Sequence, residues 1–264
     1  MTFWEHLEEL RKTLILPIIV VAALAVVIFL LKEPVFDIIL APNSTEFITY
    51  RLTGFFSSFN NQNENSQGAF VQLINTELTS QFIIHLKISF YVALLLAVPF
   101  IFYKLYQFIA PALYRREKKY STLVLTFSFI TFFIGLFVSY FIIFPFSFRF
   151  LANYQVSGSV NNMITLSSYT GTLITLSLVM GLFFELPVIA WLLAKLGMIN
   201  AGILKKYRRH AMVGILILSA IITPTTDIFT LLLVSIPIIL LYELSIIIVK
   251  ISAKKCRKKF EYIK

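Results

Sequence analysis

Charge is what this chain has least of. Only 14% of its 264 residues are charged while 58% are hydrophobic, against a charged share of roughly 25% in a typical soluble domain. A chain so built cannot solvate itself as a globule, and it reads as an integral membrane protein. Cysteine is nearly absent. The single one, Cys256, rules out an intrachain disulfide and a Cys-based metal site, and leaves the redox compartment unread. The three histidines, His6, His85 and His210, are far apart in sequence. No His-Glu-x-x-His, Gly-x-Ser-x-Gly, glycine-rich phosphate loop or short repeat occurs, which argues against a membrane hydrolase or a nucleotide enzyme. Neither a catalysed reaction nor a cofactor or metal is expected. The N-terminus also lacks the basic start and cleavage pattern of a secretory signal, since Glu5, Glu8 and Glu9 stand in its place. The first apolar run is therefore expected to stay in the protein.

What is present is a succession of apolar runs. Residues 3–13 put Phe3, Leu7 and Leu10 at helical spacing, which predicts an amphipathic helix in the membrane interface. Spans are predicted at 14–31, 82–103, 121–144, 169–196, 211–222 and 229–249, with external loops at 32–81, 145–168 and 223–228. The long first loop is expected to hold short helices over 35–40 and 70–78, around an asparagine-rich patch. Pro145 is expected to end the third span, and Pro17 to lie in the first turns of the first. The fifth run has only 12 residues, so either it forms a re-entrant hairpin with the sixth or the bilayer thins there, and the flanking charges favour thinning. The fold class is an all-α integral membrane protein, a single domain of six transmembrane helices with the last two spans short.

A net charge of +10 would suggest nucleic acid in a soluble protein. Here, no nucleic acid partner is expected, because the cations sort by side. Six spans collect nineteen of the 23 Lys and Arg on one side, and the remaining four are Lys32, Arg51, Lys87 and Arg149. The rich side, with both termini, is then cytoplasmic. On that side the segment Phe108-Ile-Ala-Pro-Ala-Leu-Tyr-Arg-Arg-Glu117-Lys-Lys lodges one acid among four cations, either as a neutraliser or as a docking point. Two further acids, Glu185 and Glu243, fall inside predicted spans. An ionised acid there costs ~3 kcal/mol or more unless paired or watered, so each is a functional candidate, the alternative being a span-end position that reaches the headgroups. That alternative is stronger for Glu243. Asp227, after Thr223-Pro-Thr-Thr, either caps the sixth helix or has another role on the external side. As a different class of function, Glu185 and Glu243 could relay protons in a secondary transporter, although no inverted repeat is evident.

These residues resemble a known family. Phe3-Trp-Glu-His-Leu-Glu-Glu-Leu-Arg11, Ala41-Pro42, the 108–119 segment, Phe184-Glu185-Leu-Pro187, Thr223-Pro-Thr-Thr-Asp227 and the stretch from Ile236-Pro237 to Glu243 are similar, in order, to TatC. TatC is the polytopic receptor subunit of the twin-arginine protein translocase. The resemblance implies a cup-shaped bundle in the cell inner membrane that binds the signal peptides of folded substrates and exports them with the proton-motive force. Glu9 and Glu117, among Leu7, Leu10, Arg11 and Phe108, would meet the paired signal arginines. Glu185, and with it Glu243, would serve the intramembrane partner site, and Pro42 and Asp227 the external side. TatA- or TatB-like single-span proteins, further copies of this chain and membrane lipid are the implied partners. Lys104 and Leu231 depart from the family pattern, where Gln is common.

Overall fold

The structure, a computed structural model, describes residues 3–53, 71–109, 118–155, 157, 162–195, 197–223 and 227–261. Within these stretches the side chains of residues 3–7, 9, 10, 12, 52, 53, 108, 109, 118–123 and 253–261 are outside the description. The chain is almost entirely helical and divides into two compact units, Met1–Phe129 with Tyr140–Ile174, and Ile130–Ser139 with Thr175–Lys264. Five helical stretches have the length and apolar composition to cross a membrane: Thr13–Leu30, Ser80–Gln107, Val124–Asn153, Leu166–Lys195 and Ile228–Ser252.

In the first unit, α1 (Phe3–Leu30) is one helix, not an interfacial helix followed by a span. Nothing between Glu9 and Leu16 breaks it, the run being built of good helix formers. Pro17 thus falls in the helix interior, where a proline is tolerated in membrane helices if neighbours satisfy the freed carbonyl. Next come α2 (Lys32–Leu40), a 3₁₀ turn (Ala41–Asn43) and α3 (Ile48–Thr53). The expected helix over 70–78 is absent from residues 71–78, where β1 (Leu73–Ile74) forms instead. It pairs in parallel with β2 (Ile164–Thr165).

α4 (Ser80–Ile109) lies antiparallel against α1. Val21 packs on Ala93 and Ala97, and Phe29 stacks on His85 with ring centroids 4.1 Å apart. Small residues let the two backbones approach, which is the main packing device available when lipid is as apolar as the side chains. The outward positions of α1, such as Ile18, Val26 and Leu30, are exposed, as suits a lipid-facing surface.

α5 (Lys118–Val138) does not end at Pro145. It passes through a π turn (Ser139–Ile143) into α6 (Phe144–Asn153). Proline has no N–H to donate four residues back, and the carbonyl so released, that of Phe141, accepts the Thr49 hydroxyl. The helix therefore survives the proline, and Arg149, expected in a loop, is buried within α6. The 149 side chain shares its buried face with Pro145, Phe148 and Ala152, a spacing of three and four residues.

The second unit contains α8 (Leu186–Lys195), α9 (Ala201–Lys206), α10 (Arg208–Ile222) and α11 (Ile228–Glu261), with parts of α5 and of α7 (Leu166–Phe183). α10 is shorter than the five candidate spans, in line with the short fifth run. Two glycines set the contact between α5 and α7: a methyl on Gly135 would lie 2.6 Å from the Met180 carbonyl oxygen, and one on Gly181 would lie 2.8 Å from the Phe132 ring.

Candidate functional site

The antiparallel pairing of α1 and α4 decides what shares an end. Phe29 meets Phe82 and His85 at one end, while Val21 meets Ala93 and Ala97 further along. Continuing that register sets the first turns of α1, bearing Leu7, Glu9, Leu10 and Arg11, beside the last turns of α4, bearing Lys104 and Phe108. Arg11 is exposed there. The side chains of Leu7, Glu9, Leu10 and Phe108 lie outside the described residues, as does the whole of Glu117, which immediately precedes α5. At this end the Lys104 ammonium donates to Gln107 Oε1 at 3.0 Å and sits 5.8 Å from the Phe100 ring centroid. The extra cation is thus held by a neutral amide and a ring face.

Glu185 sits where α7 stops and α8 has not begun. Pro187, the second residue of α8, cannot donate to the Phe183 carbonyl, and its ring crowds that oxygen, so the helix is interrupted at Phe184 and Glu185. Glu185 is 6% exposed, and Thr131 Oγ1 on α5 donates to its Oε1 at 3.1 Å. The Gly135 and Gly181 approach lies one turn along both helices from that bond, in antiparallel register, and sets the helix spacing that lets the bond form.

Glu243 finds a different answer. The guanidinium Nε of Arg208 lies 2.5 Å from its Oε1, a charge contact outside hydrogen-bond geometry, so the acid meets the first residue of α10. Asp227 caps α11, its Oδ2 accepting the Thr230 N–H at 2.6 Å. Pro42 is buried in the 3₁₀ turn, and its carbonyl accepts the Tyr50 hydroxyl at 3.1 Å, with the Pro145 carbonyl 3.3 Å from the same oxygen.

Around Pro42 are residues that sequence reasoning missed. The Arg149 guanidinium lies 4.9 Å from the Tyr50 ring centroid, and Tyr169 donates to the Ile39 carbonyl at 3.0 Å. Burial pushes the Tyr50 phenol up to about 12 despite the opposing pull of Arg149, which keeps the hydroxyl a donor. The helical spacing of apolar residues around Arg149 was the available signal.

The sequence model of the family described as Sec-independent protein translocase protein (TatC) matches residues 5–237. The chain belongs to the TatC family. It is 36% identical over 259 residues to the Sec-independent protein translocase protein TatC of Blattabacterium sp. subsp. Periplaneta americana (strain BPLAN), covering 97% of each chain. TatCy of Bacillus subtilis (strain 168) is 29% identical over 258 residues, 98% of this chain and 92% of the relative. The crystal structure of the twin-arginine translocase receptor TatC matches with a TM-score of 0.75 at 30% identity, over 94% of this chain and 99% of that one. The match extends over nearly the whole chain and makes the protein a multi-pass membrane component of the twin-arginine translocase. Among the described residues, no group of three or more His, Cys, Asp or Glu side chains could hold a metal.

Proposed function

We propose that this protein is the receptor subunit of the translocase. It binds the twin-arginine signal peptides of folded proteins at its cytoplasmic surface and passes them across the membrane with the proton-motive force. The observation that carries the reading is the α1 and α4 register, which brings the acid-rich start of α1 level with the entry to the 108–119 segment. Glu9 and Glu117 are then carboxylates available from two elements, suited to two adjacent guanidiniums through charge-assisted, bidentate hydrogen bonds. Arg11, Arg115, Arg116, Lys118 and Lys119 keep both acids ionised and repel arginines presented out of register. Glu185, deep in the chain, is the docking point for single-span subunits of TatA or TatB type, whose polar side chain replaces or joins Thr131.

A proton relay through Glu185 and Glu243 is the lesser reading, since Glu243 is engaged by Arg208. The test is photo-crosslinking of a twin-arginine signal peptide to the purified protein. Crosslinks at α1 and the 108–119 segment, lost when both arginines become lysines, are expected, and equal labelling by the dilysine peptide would overturn the reading.

A further inference from the structure

Glu243 and its neighbour Tyr242 lie outside the signal site proposed above. They reach from α11 to α9 and to the first residue of α10. The Tyr242 hydroxyl donates to the Leu204 carbonyl at 2.9 Å, and Glu243 meets Arg208. Asn200 Oδ1 accepts the Ile203 N–H at 2.9 Å and caps α9. The loop 195–210 carries five cations and no acid, yet two consecutive residues of α11 hold it down.

Five like charges in so short a stretch repel one another, and Glu243 offsets only Arg208. Lys205, Lys206 and Arg209 are exposed and have no acid partner among the described residues. Between these cations lie apolar side chains that are also exposed, Met198 at 67%, Ile203 at 42% and Tyr207 at 53%. An acidic protein surface would match the charge alone. Cations interleaved with Met, Ile and Tyr, directly at the ends of apolar helices α8 and α10, match a molecule whose anionic group and hydrocarbon meet at one level.

We propose that the 197–210 stretch is a preformed binding site for the phosphate of an anionic phospholipid, with Lys205, Lys206 and Arg209 as its ligands and Tyr242 and Glu243 as the positioning residues that hold it. The pinning separates this from diffuse attraction. Replacing Glu243 removes a negative charge and frees Arg208, so simple electrostatics would strengthen anion binding, whereas a site that depends on the pin would weaken.

The experiment is native mass spectrometry of the purified full chain titrated with phosphatidylglycerol or phosphatidylcholine. The protein is expected to retain phosphatidylglycerol preferentially, and the triple variant Lys205→Gln, Lys206→Gln, Arg209→Gln to bind it about tenfold more weakly. Glu243→Gln is expected to lower retention severalfold, and Tyr242→Phe, which removes one hydroxyl, to lower it in the same direction. Equal retention of the two lipids, an unchanged triple variant, or tighter binding by Glu243→Gln would each overturn the site. Displacement of the lipid by millimolar inorganic phosphate would show a free-anion site and overturn the lipid assignment.

Discussion

A carboxylate near or inside a bilayer has to be met by a donor or a cation, and three acids of this chain meet three different ones. Asp227 uses a backbone N–H, Glu243 a guanidinium, and Glu185 a threonine hydroxyl. The last joins two helices within candidate spans, where a second membrane helix could approach the same carboxylate. Glu185→Ala is accordingly expected to weaken crosslinking to single-span subunits and to reduce export while signal-peptide affinity holds. Loss of peptide binding with partner contacts intact would reverse the assignment. Glu9 and Glu117 carry the opposite expectation. Each change to Ala should weaken twin-arginine peptide binding by roughly 1.5 to 3 kcal/mol, the range for a hydrogen bond to a charged group, with Gln between Ala and Glu. Titration calorimetry with the peptide would measure it, and unchanged affinity in both variants would remove these acids from the site.

Helix ends and interruptions follow from particular residues, and they differ in how plainly the sequence announces them. The span-forming runs, the α2 helix, the shortness of α10 and the Asp227 cap can be read from local composition, because each depends on neighbours within one or two turns. The passage of α5 through Pro145 into α6 cannot, since it needs the Thr49 hydroxyl from 92 residues away to satisfy the Phe141 carbonyl. Arg149 was hidden for the same reason: a lone cation after a proline looks like a loop until Tyr50 is placed over it. Thr131 is a common residue in an apolar run, and its bond to Glu185 depends on the α5 and α7 register. That register tests the packing. Gly135→Ala places a methyl 2.6 Å from a backbone oxygen, which cannot rotate away, so α5 must move off α7 and stretch the Thr131 to Glu185 bond. A loss of about 1 to 3 kcal/mol, typical of overpacking, should appear as a lower unfolding temperature in detergent. A wild-type melting curve would mean that the helices tolerate wider spacing and that the glycines do not set it.

At the scale of the molecule, the remaining question is which loops share a side of the membrane. Strand β1 pairs with β2, so the segments 71–79 and 162–165 must emerge together, and between them they carry no Lys or Arg. The cations gather instead in the start of α1, the 104–119 stretch, the 195–210 loop and the tail of α11, which the positive-inside rule assigns to the cytoplasm. The assignment requires α10 to cross the membrane despite its length. If α10 turned back, the tail of α11 would carry its cations outside. Single cysteines in a Cys256→Ser background decide it. Leu78→Cys and Met163→Cys, at positions 99% and 73% exposed, should react with an impermeant thiol reagent added to intact cells. Ser121→Cys and Ala201→Cys should react only after the membrane is opened. Labelling of Leu78→Cys and Met163→Cys from opposite sides would break the strand pairing. Labelling of Ala201→Cys from outside would invert the basic loop, and with it both the six-span topology and the leaflet in which that loop could meet lipid.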